Sequence, residues 1–401
     1  MKRRSFLGAA AGACSMAVAG RVAAQAQPIK IGFVATFSGV GSSLGDMLDK
    51  SVRLYMKQNE KSLPPGVTIE IIRRDDGGPN PDVAKRLATE LVTRDKVQFL
   101  TGFIYTPNAM AVAELATEAK VPTIIMNAGT SVIVRRSPYM ARTSFTMWQS
   151  AYPLGQWAAK QGMKKGYIAV ADYAPGHDIE AAFEKGFTEG GGTIVGKVRM
   201  PVNATEYAPF LQRIKDEKPD VVCAFVPAGR VATAFMKQFQ ELGLGQAGIK
   251  LVGPGDMTPD EELPNMTDVP AGAIITIHHY SASSTRPQNV AFVKAWKDEY
   301  GPNTTPGFFA VGAWDAMAAI FHVIKAQNGK LDPDKTMALL KGWSNPDSPR
   351  GPITIDAETR DIVQNEYLRR LDKVDGQLRN IEIETIQQVK DPWVQFNPPP
   401  R

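Results

Sequence analysis

Short apolar segments of strand length alternate with segments of helical periodicity along most of this chain. Between the predicted strands, apolar residues recur every three or four positions, as in Val83, Leu87 and Leu91. Strands that alternate with helices predict parallel sheets covered by helices on both faces. The strands are more numerous than one ordinary sheet holds, so we predict an α/β fold with two doubly wound parallel sheets, one in each of two lobes. The predicted strands lie at 29–36, 67–73, 97–100, 123–126, 167–171, 193–199, 221–225, 249–253 and 273–277.

The change from the first sheet to the second is predicted near 139–146 ("YMARTSFT"), where a short extended run precedes a new helix. Clusters of glycine and proline later in the chain indicate turns between further elements. The last residues, 391–401, are expected to form a poorly ordered tail. The other predicted elements are a helix at 308–327, a hairpin with strands at 353–356 and 365–371, and a turn at Asp375-Gly376.

The first 26 residues have the layout of a secretory signal, with a basic start, a weakly apolar middle and the small triplet Ala24-Gln25-Ala26. The pair Arg3-Arg4 fits the twin-arginine type of signal. We predict that 1–26 is an export signal and that the remaining chain is soluble in the periplasm. A membrane-spanning helix needs ~20 strongly apolar residues, and we expect no other apolar run in the chain to approach this length.

Charge and cysteine content change once the predicted signal is set aside. The signal holds four basic residues and no acid, so 46 lysines and arginines fall to 42, against 41 acids. This balance and the lack of a basic stripe argue against a nucleic-acid partner. Cys223 then remains as the one thiol, so the core rather than a disulfide must hold the fold. An alternative is that Cys14 is a lipidation site.

The glycine-rich stretch 37–45 ("FSGVGSSLG") follows the first strand and leads into a helix. Its glycines are close to a dinucleotide fingerprint, and Asp75 ends the second strand where a ribose-binding acid would lie. The spacing argues against a nucleotide-dependent oxidoreductase, because the acid should follow the glycines by ~20 residues, whereas Asp75 comes 30 residues after Gly45. No cofactor is predicted, and an exported nucleotide-dependent oxidoreductase stays as an alternative.

The same stretch contains Gly-x-Ser-x-Gly at 41–45, the pattern of a hydrolase nucleophile elbow around Ser43. An elbow turns directly off its strand, whereas four residues intervene here. The chain has four histidines, and none has a recognisable hydrolase context. His278 and His279 are adjacent on a predicted strand and are expected to point to opposite faces. We therefore predict no catalytic residue and no metal site, and a serine hydrolase stays as an alternative.

The loops that follow the predicted strands carry the polar residues of interest, because open α/β sheets bind ligands at this edge. Residues 102–108 and 127–131 offer backbone N–H groups and hydroxyls, which suit a carboxylate ligand. The corresponding loops of the second block are 172–177, 226–229 and 253–257. Asp256 is the carboxylate in these loops that is placed to meet a cationic group. Each loop taken alone is also compatible with an ordinary helix cap.

Eight segments between about 29 and 377 stand in a characteristic order and spacing, although each is loose alone. They are "IGFVATFSGVGSSLGDM", "VPTIIMNAGTS", "MARTSF", "GYIAVADYAPG", "GGTIVGKVRMP", "DVVCAFVPAG", "LVGPGDM" and "GPITID". Together they resemble the type I periplasmic substrate-binding proteins of ABC importers, in the branch of the leucine/isoleucine/valine-binding proteins.

This resemblance implies two lobes joined by three crossovers, with a ligand held between them. It implies that the loops at Tyr105-Thr106 and 128–130 hold a ligand carboxylate and that Asp256 meets an ammonium group. Leu44 stands where relatives often have an aromatic residue, and Pro175 where an aromatic usually precedes a glycine. The predicted ligand contacts are Ser38, Leu44, Tyr105, Thr106, Asn127, Ala128, Gly129, Thr130, Tyr173, Pro175, Pro227 and Asp256.

The resulting hypothesis is a non-enzymatic receptor that closes on a small carboxylate and presents it to an ABC permease. The ligand expected first is a branched-chain or other hydrophobic amino acid, and the alternative is an aromatic carboxylate. A buried, unpaired Asp256 would cost several kcal/mol, so a ligand without an ammonium group requires that a protein cation or water compensates Asp256. A sensor module for a membrane receptor kinase would share every binding feature.

The predicted lobes are 27–142 with 281–356 and 143–280 with 357–390. Hinges are expected where the chain crosses between them, near 140–145, 277–281 and 355–363. Closure would then shift an existing equilibrium between open and closed forms. Trp148, beside the first hinge, is expected to report this motion.

Overall fold

The computed structural model describes residues 27–266, 269, 272 and 274–398. The predicted export signal, its cleavage after Ala26 and the alternative at Cys14 lie outside these residues.

The strands follow the predicted alternation, and most differ from the predicted bounds by one or two residues. The segment 221–225 agrees at both ends. The strands are β1 (Ile29–Ala35), β2 (Ile69–Asp75), β3 (Phe99–Gly102), β4 (Thr123–Ile125), β5 (Met140–Arg142), β6 (Lys165–Ala171), β7 (Thr193–Met200), β8 (Val221–Phe225), β9 (Lys250–Pro254), β10 (Ile274–His278), β11 (Ser344–Asn345), β12 (Ile353–Ile355), β13 (Ile362–Val374) and β14 (Gln377–Val389).

Helices fill the connections between these strands, as expected for a doubly wound fold. They are α1 (Ser42–Asn59), α2 (Pro81–Thr93), α3 (Thr106–Ala111), α4 (Ala113–Glu118), α5 (Met147–Lys160), α6 (Ala174–Glu189), α7 (Ala208–Glu217), α8 (Arg230–Glu241), α9 (Pro287–Tyr300), α10 (Phe308–Ala326), α11 (Pro333–Leu340) and α12 (Trp393–Phe396). A full capping box at Thr146 and Gln149 fixes the start of α5, directly after the chain leaves the first sheet.

The described strands form two sheets, which confirms the predicted α/β fold with two doubly wound lobes. The first sheet has the order β2-β1-β3-β4-β5, and all its pairs are parallel. In the second sheet β7, β6, β8, β9 and β10 are parallel neighbours. The antiparallel strand β13 then pairs with β10 and carries β14 on its other side. In both sheets the carboxyl ends of the parallel strands therefore meet at one edge.

The terminal hairpin is longer than the sequence suggested. Asp375 and Gly376 both have positive φ, 50° and 78°, as a two-residue hairpin turn of the Asp-Gly type requires. They join two strands of 13 residues each, β13 and β14. The early part of β13 also pairs with β12, so the proposed boundary at 356 falls within a hydrogen-bonded hairpin. The assignment of residues to lobes stays a prediction.

The chain returns to the first lobe after β10, because α10 packs along α1. The hydroxyl of Ser51 in α1 donates to the carbonyl oxygen of Ala310 in α10 at 2.6 Å. Among the described residues, α10 is the one helix whose length and apolar composition would suffice to cross a membrane, but 78% of it is buried inside the protein. The expectation that no second apolar run reaches that length was wrong. Burial of most of its surface explains the composition of α10.

Residues 391–397, which begin the segment expected to be poorly ordered, pack against both lobes, and residues 399–401 of that segment lie outside the described chain. We call residues 391–397 the C-terminal strap. The ring of Trp393 lies 4.5 Å from the guanidinium of Arg135, which precedes β5. The ring of Phe396 lies 4.8 Å from the ammonium of Lys185 in α6 and 5.6 Å from the ring of Trp148. Asp391 is only 5% exposed, so the strap is an integral part of the structure.

Removal of the strap by ending the chain at Lys390 is expected to lower the free energy of unfolding by about 2 kcal/mol. The loss follows from two aromatic contacts with cations and from the exposure of Trp148. Thermal unfolding of the shortened chain would measure it. A chain that ends at Pro398 is the matched control. Equal stability of the two truncated chains would contradict this role.

Candidate ligand-binding site

A cavity lies between the two lobes, at the carboxyl edge of both sheets. The space free of protein atoms there, including space open to solvent, is about 330 Å³. The first lobe contributes the loops after β3 and β4, and the second contributes the loops after β6, β8 and β9. A ligand in this space would contact both lobes at once.

The structure brings most of the predicted ligand contacts together around this cavity. Three predicted residues, Ser38, Ala128 and Thr130, do not line it. Four lining residues were not anticipated, namely Ile104, Met147, Ala228 and Phe309. The predicted residues that do line the cavity are Leu44, Tyr105, Thr106, Asn127, Gly129, Tyr173, Pro175, Pro227 and Asp256.

Hydroxyl and amide groups form the first-lobe end of the cavity. The side-chain oxygens of Thr106 and Thr130 lie 3.1 Å apart in a buried hydrogen bond. Asn127 donates from its amide nitrogen to the carbonyl oxygen of Ile104 at 2.9 Å, while its Oδ1 has no hydrogen-bond partner within the described chain. None of the described lining residues is lysine, arginine or histidine. A carboxylate held here would therefore depend on hydroxyls and N–H groups.

Two predicted contacts serve the structure of the loops themselves. The backbone N–H of Ala128 donates to the carbonyl oxygen of Phe103 at 3.0 Å, and its own carbonyl oxygen accepts from Arg142 at 2.8 Å. Its backbone hydrogen-bonding groups are thus already engaged. Ser38 is exposed, in a loop that Asp75 holds by accepting from the backbone N–H of Phe37 at 2.8 Å. Thr130 remains close to the cavity through its bond to Thr106.

Arg142 is a positioning residue that the sequence analysis did not single out. It is fully buried at the end of β5. Its guanidinium donates to the carbonyl oxygens of Ala128 at 2.8 Å and Thr130 at 2.9 Å, on either side of Gly129. It also pairs with Asp361 at 2.7 Å, in the segment that leads into β13. Arg142 therefore ties the loop after β4 to the crossover before β13.

One hydrogen bond joins the lobes directly beside the cavity. The backbone N–H of Ser131 in the first lobe donates to Oδ2 of Asp178 in α6 at 3.0 Å. Burial raises the pKa of the Asp178 carboxyl to about 7. Tyr173 and Pro175 stand at the start of the same helix and line the cavity. This bond thus holds one wall of the cavity against the loop that carries Thr130.

Asp256 forms part of the second-lobe end of the cavity and is 5% exposed. Burial raises the pKa of its carboxyl to about 7, and the positive charge of Arg369 opposes this shift. Its Oδ2 lies 3.9 Å from Nε2 of His278 and has no hydrogen-bond partner in the part of the chain that the structure describes. Burial lowers the pKa of His278 well below its usual value, so this histidine is neutral and supplies no counter-charge.

The two neighbouring histidines do not point to opposite faces, contrary to the prediction. His278 is the last residue of β10, so strand alternation does not continue to His279. Their ring centroids lie 4.1 Å apart, and both rings pack against Phe145 and Phe308. The described residues contain no group of three or more histidines, cysteines or acids that could hold a metal ion.

The glycine-rich loop after β1 is shaped by packing. A Cβ on Gly45 would lie 1.9 Å from the carbonyl oxygen of Thr36, so glycine lets α1 start against the end of β1. Asp76, which follows the end of β2, is buried. Its carboxylate accepts hydrogen bonds from Thr36 Oγ1 at 2.6 Å and from Asn108 Nδ2 at 2.8 Å. Asp75 and Asp76 are thus engaged in holding loops, which weakens the dinucleotide alternative. Within the described chain, Ser43 forms no hydrogen bond with a histidine.

Comparison with known proteins identifies the architecture. A model of the family described as periplasmic binding protein matches residues 28–377. The chain belongs to the periplasmic binding protein family. It is 40% identical over 373 residues to the Leu/Ile/Val-binding protein homolog 6 of Brucella melitensis, covering 92% of this chain and 94% of that protein. The family resemblance drawn from the sequence is therefore confirmed.

Solved structures of similar proteins cover nearly all of this periplasmic binding protein. One is a solute binding protein of an ABC transporter from Rhodopseudomonas palustris BisB5 in complex with 3,4-dihydroxybenzoic acid. It is 48% identical, with a TM-score of 0.87 and coverage of 91% of this chain and 99% of that one. Another, from Rhodopseudomonas palustris HaA2 in complex with p-hydroxybenzoic acid, is 41% identical, with a TM-score of 0.88 and coverage of 92% and 100%.

The leucine binding protein LivK of Thermotoga maritima shares the fold, with a TM-score of 0.78 at 20% identity and coverage of 90% of this chain and 99% of that one. Taken together, these findings show a periplasmic binding protein of an ABC transporter. They place it among solute-binding proteins.

Proposed function

We propose that this periplasmic binding protein captures a benzoate-type aromatic carboxylate and presents it to a membrane permease. The observation that carries the proposal is the composition of the cavity wall. Flat or apolar side chains surround the space, namely Met147, Tyr173, Pro175, Pro227 and Phe309. The ring of Tyr173 is held nearly parallel to that of Phe225, at 13° and 5.9 Å between centroids. Such walls suit a flat ring, because aromatic faces pack well in offset stacks.

The first-lobe end of the cavity suits the acid group of such a ligand. Thr106 offers a hydroxyl at the cavity, Thr130 orients it, and the loop at Gly129 lies beside them. The proteins with bound dihydroxybenzoic and hydroxybenzoic acids, at 48% and 41% identity, support the same ligand class. The loops around Tyr105, Thr106 and Asn127 would then hold the carboxylate, and the second lobe would close over the ring.

A hydrophobic amino acid is the second candidate, and it was the ligand expected first from the sequence. Asp256 favours it, because a buried carboxyl whose Oδ2 has no hydrogen-bond partner among the described residues would accept an ammonium group. The Brucella relative carries the name of a Leu/Ile/Val-binding protein. The aromatic ligand is preferred because the walls of the cavity are flat and because the proteins with bound benzoic acids are considerably more similar to this chain than LivK is.

Calorimetry on protein unfolded and refolded to remove any bound ligand would test this choice. Benzoate, 4-hydroxybenzoate and 3,4-dihydroxybenzoate are expected to bind at micromolar or lower concentration, and leucine and phenylalanine at least tenfold more weakly. Tight leucine binding that Asp256→Asn abolishes would instead establish the amino-acid candidate. Membrane vesicles that contain the permease would then show whether the loaded protein supports uptake of the same acid.

The role of the threonine pair can be measured separately. Thr106→Val keeps the side-chain volume but removes the hydroxyl at the cavity, so it is expected to weaken benzoate binding by about 1 to 3 kcal/mol. Thr130→Val removes only the partner that orients this hydroxyl, so a smaller loss of about 1 kcal/mol is expected. Thr101→Val is the control, since Thr101 bonds within the sheet, to Ile124. If all three variants bound benzoate with the affinity of the wild type, these hydroxyls would make no contribution to ligand binding.

A further inference from the structure

One oxygen of the Asp256 carboxyl, Oδ2, has no hydrogen-bond partner among the described residues, whereas the residue's own backbone N–H bonds to the carboxyl. Arg369 lies nearest among the strong cations, but its guanidinium donates to the carbonyl oxygen of Tyr280 at 2.6 Å and to Thr276 at 3.2 Å. The same arginine also lies 3.6 Å from Asp260. His278, at 3.9 Å, is neutral because burial lowers its pKa. The protein thus leaves a hydrogen-bond acceptor unused at the wall of the cavity.

A buried polar group without a partner is unfavourable, so a ligand that fills the cavity gains most if it brings a donor. The acid group of a benzoate occupies the first-lobe end, beside Thr106. The ring position opposite the acid group then points toward the second lobe, where Asp256 lies. Plain benzoate presents only carbon-bound hydrogens there. A ring hydroxyl presents an O–H donor.

We propose that Asp256 selects ring-hydroxylated benzoates over benzoate by accepting a hydrogen bond from the hydroxyl opposite the acid group. This inference rests on the proposed function and assigns Asp256 a partner other than an ammonium group. Hydrogen bonds to a charged acceptor are about twice as strong as neutral ones. The expected preference for 4-hydroxybenzoate over benzoate is therefore about 10- to 100-fold in affinity.

The preference should depend on pH. Burial places the pKa of the free Asp256 carboxyl at about 7. An O–H donor favours the ionised form, so the ratio of the 4-hydroxybenzoate affinity to the benzoate affinity should increase as pH rises from 6 to 8. Benzoate offers no donor, and its own charge repels an ionised Asp256, so its affinity should decrease over the same range. The groups that face Asp256 are Tyr173 before α6, His278 on β10 and Arg369 on β13.

Calorimetry with both acids, on wild type, Asp256→Leu and Asp256→Asn at pH 6 and 8, tests the inference. Asp256→Leu should reduce the ratio of the two affinities to near one. Asp256→Asn keeps an acceptor, so it should retain part of the preference and lose its pH dependence. Asp172→Asn, at an exposed carboxylate in the loop after β6, is the control and should retain both. Circular dichroism would establish that each variant is folded.

The two proposals fail in different ways. The inference is wrong if both acids bind the wild type with equal affinity. It is also wrong if Asp256→Leu retains the preference for 4-hydroxybenzoate, because Asp256 would then not be the acceptor of the ring hydroxyl. If neither acid binds the wild type while leucine does, the proposed ligand class is wrong and the inference falls with it.

Discussion

Replacement of Arg142 by methionine is expected to lower the free energy of unfolding by about 3 to 5 kcal/mol. Methionine fills much of the same volume but leaves Asp361 buried without its ion-pair partner. It also removes donors from the carbonyl oxygens of Ala128 and Thr130. Ligand binding should weaken as well, because the loop around Gly129 loses its attachment. Chemical denaturation and calorimetry with a bound acid would measure the two effects.

The penalty for losing Arg142 should itself depend on pH. Burial already raises the pKa of the Asp361 carboxyl to about 7 in the presence of the arginine. Without this positive charge the folded-state pKa rises further above its unfolded value. A carboxyl of this kind destabilises the folded protein increasingly as pH rises above the unfolded pKa. The difference between variant and wild type should therefore be smaller at pH 5 than at pH 8.

Arg136→Met provides the matched control, because Arg136 is exposed in the segment that leads into β5, the strand that carries Arg142. Its stability should stay within about 0.5 kcal/mol of the wild type. If Arg142→Met were equally mild and bound ligand normally, the arginine would not hold the loop.

Replacement of Gly45 by alanine is the second substitution with a large expected effect. The new Cβ would lie 1.9 Å from the carbonyl oxygen of Thr36, a backbone atom that cannot rotate away. Helix α1 must then move away from β1, at a cost of about 3 kcal/mol in the free energy of unfolding. Leu44 precedes this glycine and lines the cavity, so ligand affinity should fall together with stability.

Gly245→Ala is the control for Gly45→Ala, because a Cβ at Gly245 meets open space. Thermal unfolding and calorimetry of the two variants would separate the close contact from the general effect of adding a methyl group. Similar stabilities for both would contradict the packing role of Gly45.

Much of the fold could be predicted because its determinants are local. The turn at Asp375-Gly376 needs two residues that adopt positive φ, and these two adopt it at little cost. The strand at 221–225 is a run of apolar residues that is buried throughout. Each such pattern lies within a window of about ten residues. Strand β14 was missed because its side chains alternate weakly and much of its surface is exposed.

The candidate site could be predicted only in part, and the reason is again physical. The rule that ligands bind beyond the carboxyl ends of parallel strands locates the loops at Thr106, Asn127 and Tyr173. It cannot reveal Phe309, which reaches the cavity from α10 after the chain has returned to the first lobe. Nor does it show that the backbone N–H and carbonyl groups of Ala128 form hydrogen bonds within the protein. The available sign for Arg142 was an arginine at the end of the short strand β5.

The amino-acid sequence alone determined the alternation of strands and helices, the division into two sheets and the edge at which a ligand would bind. These follow from periodicity and from turn residues, which act over a few positions. Only the tertiary structure decided the guanidinium contacts of Arg142, the packing of His278 beside His279, the C-terminal strap across both lobes and the unpartnered Oδ2 of Asp256. Each of these depends on groups far apart in the chain, such as Arg142 and Asp361. Their meeting is set by how whole elements pack.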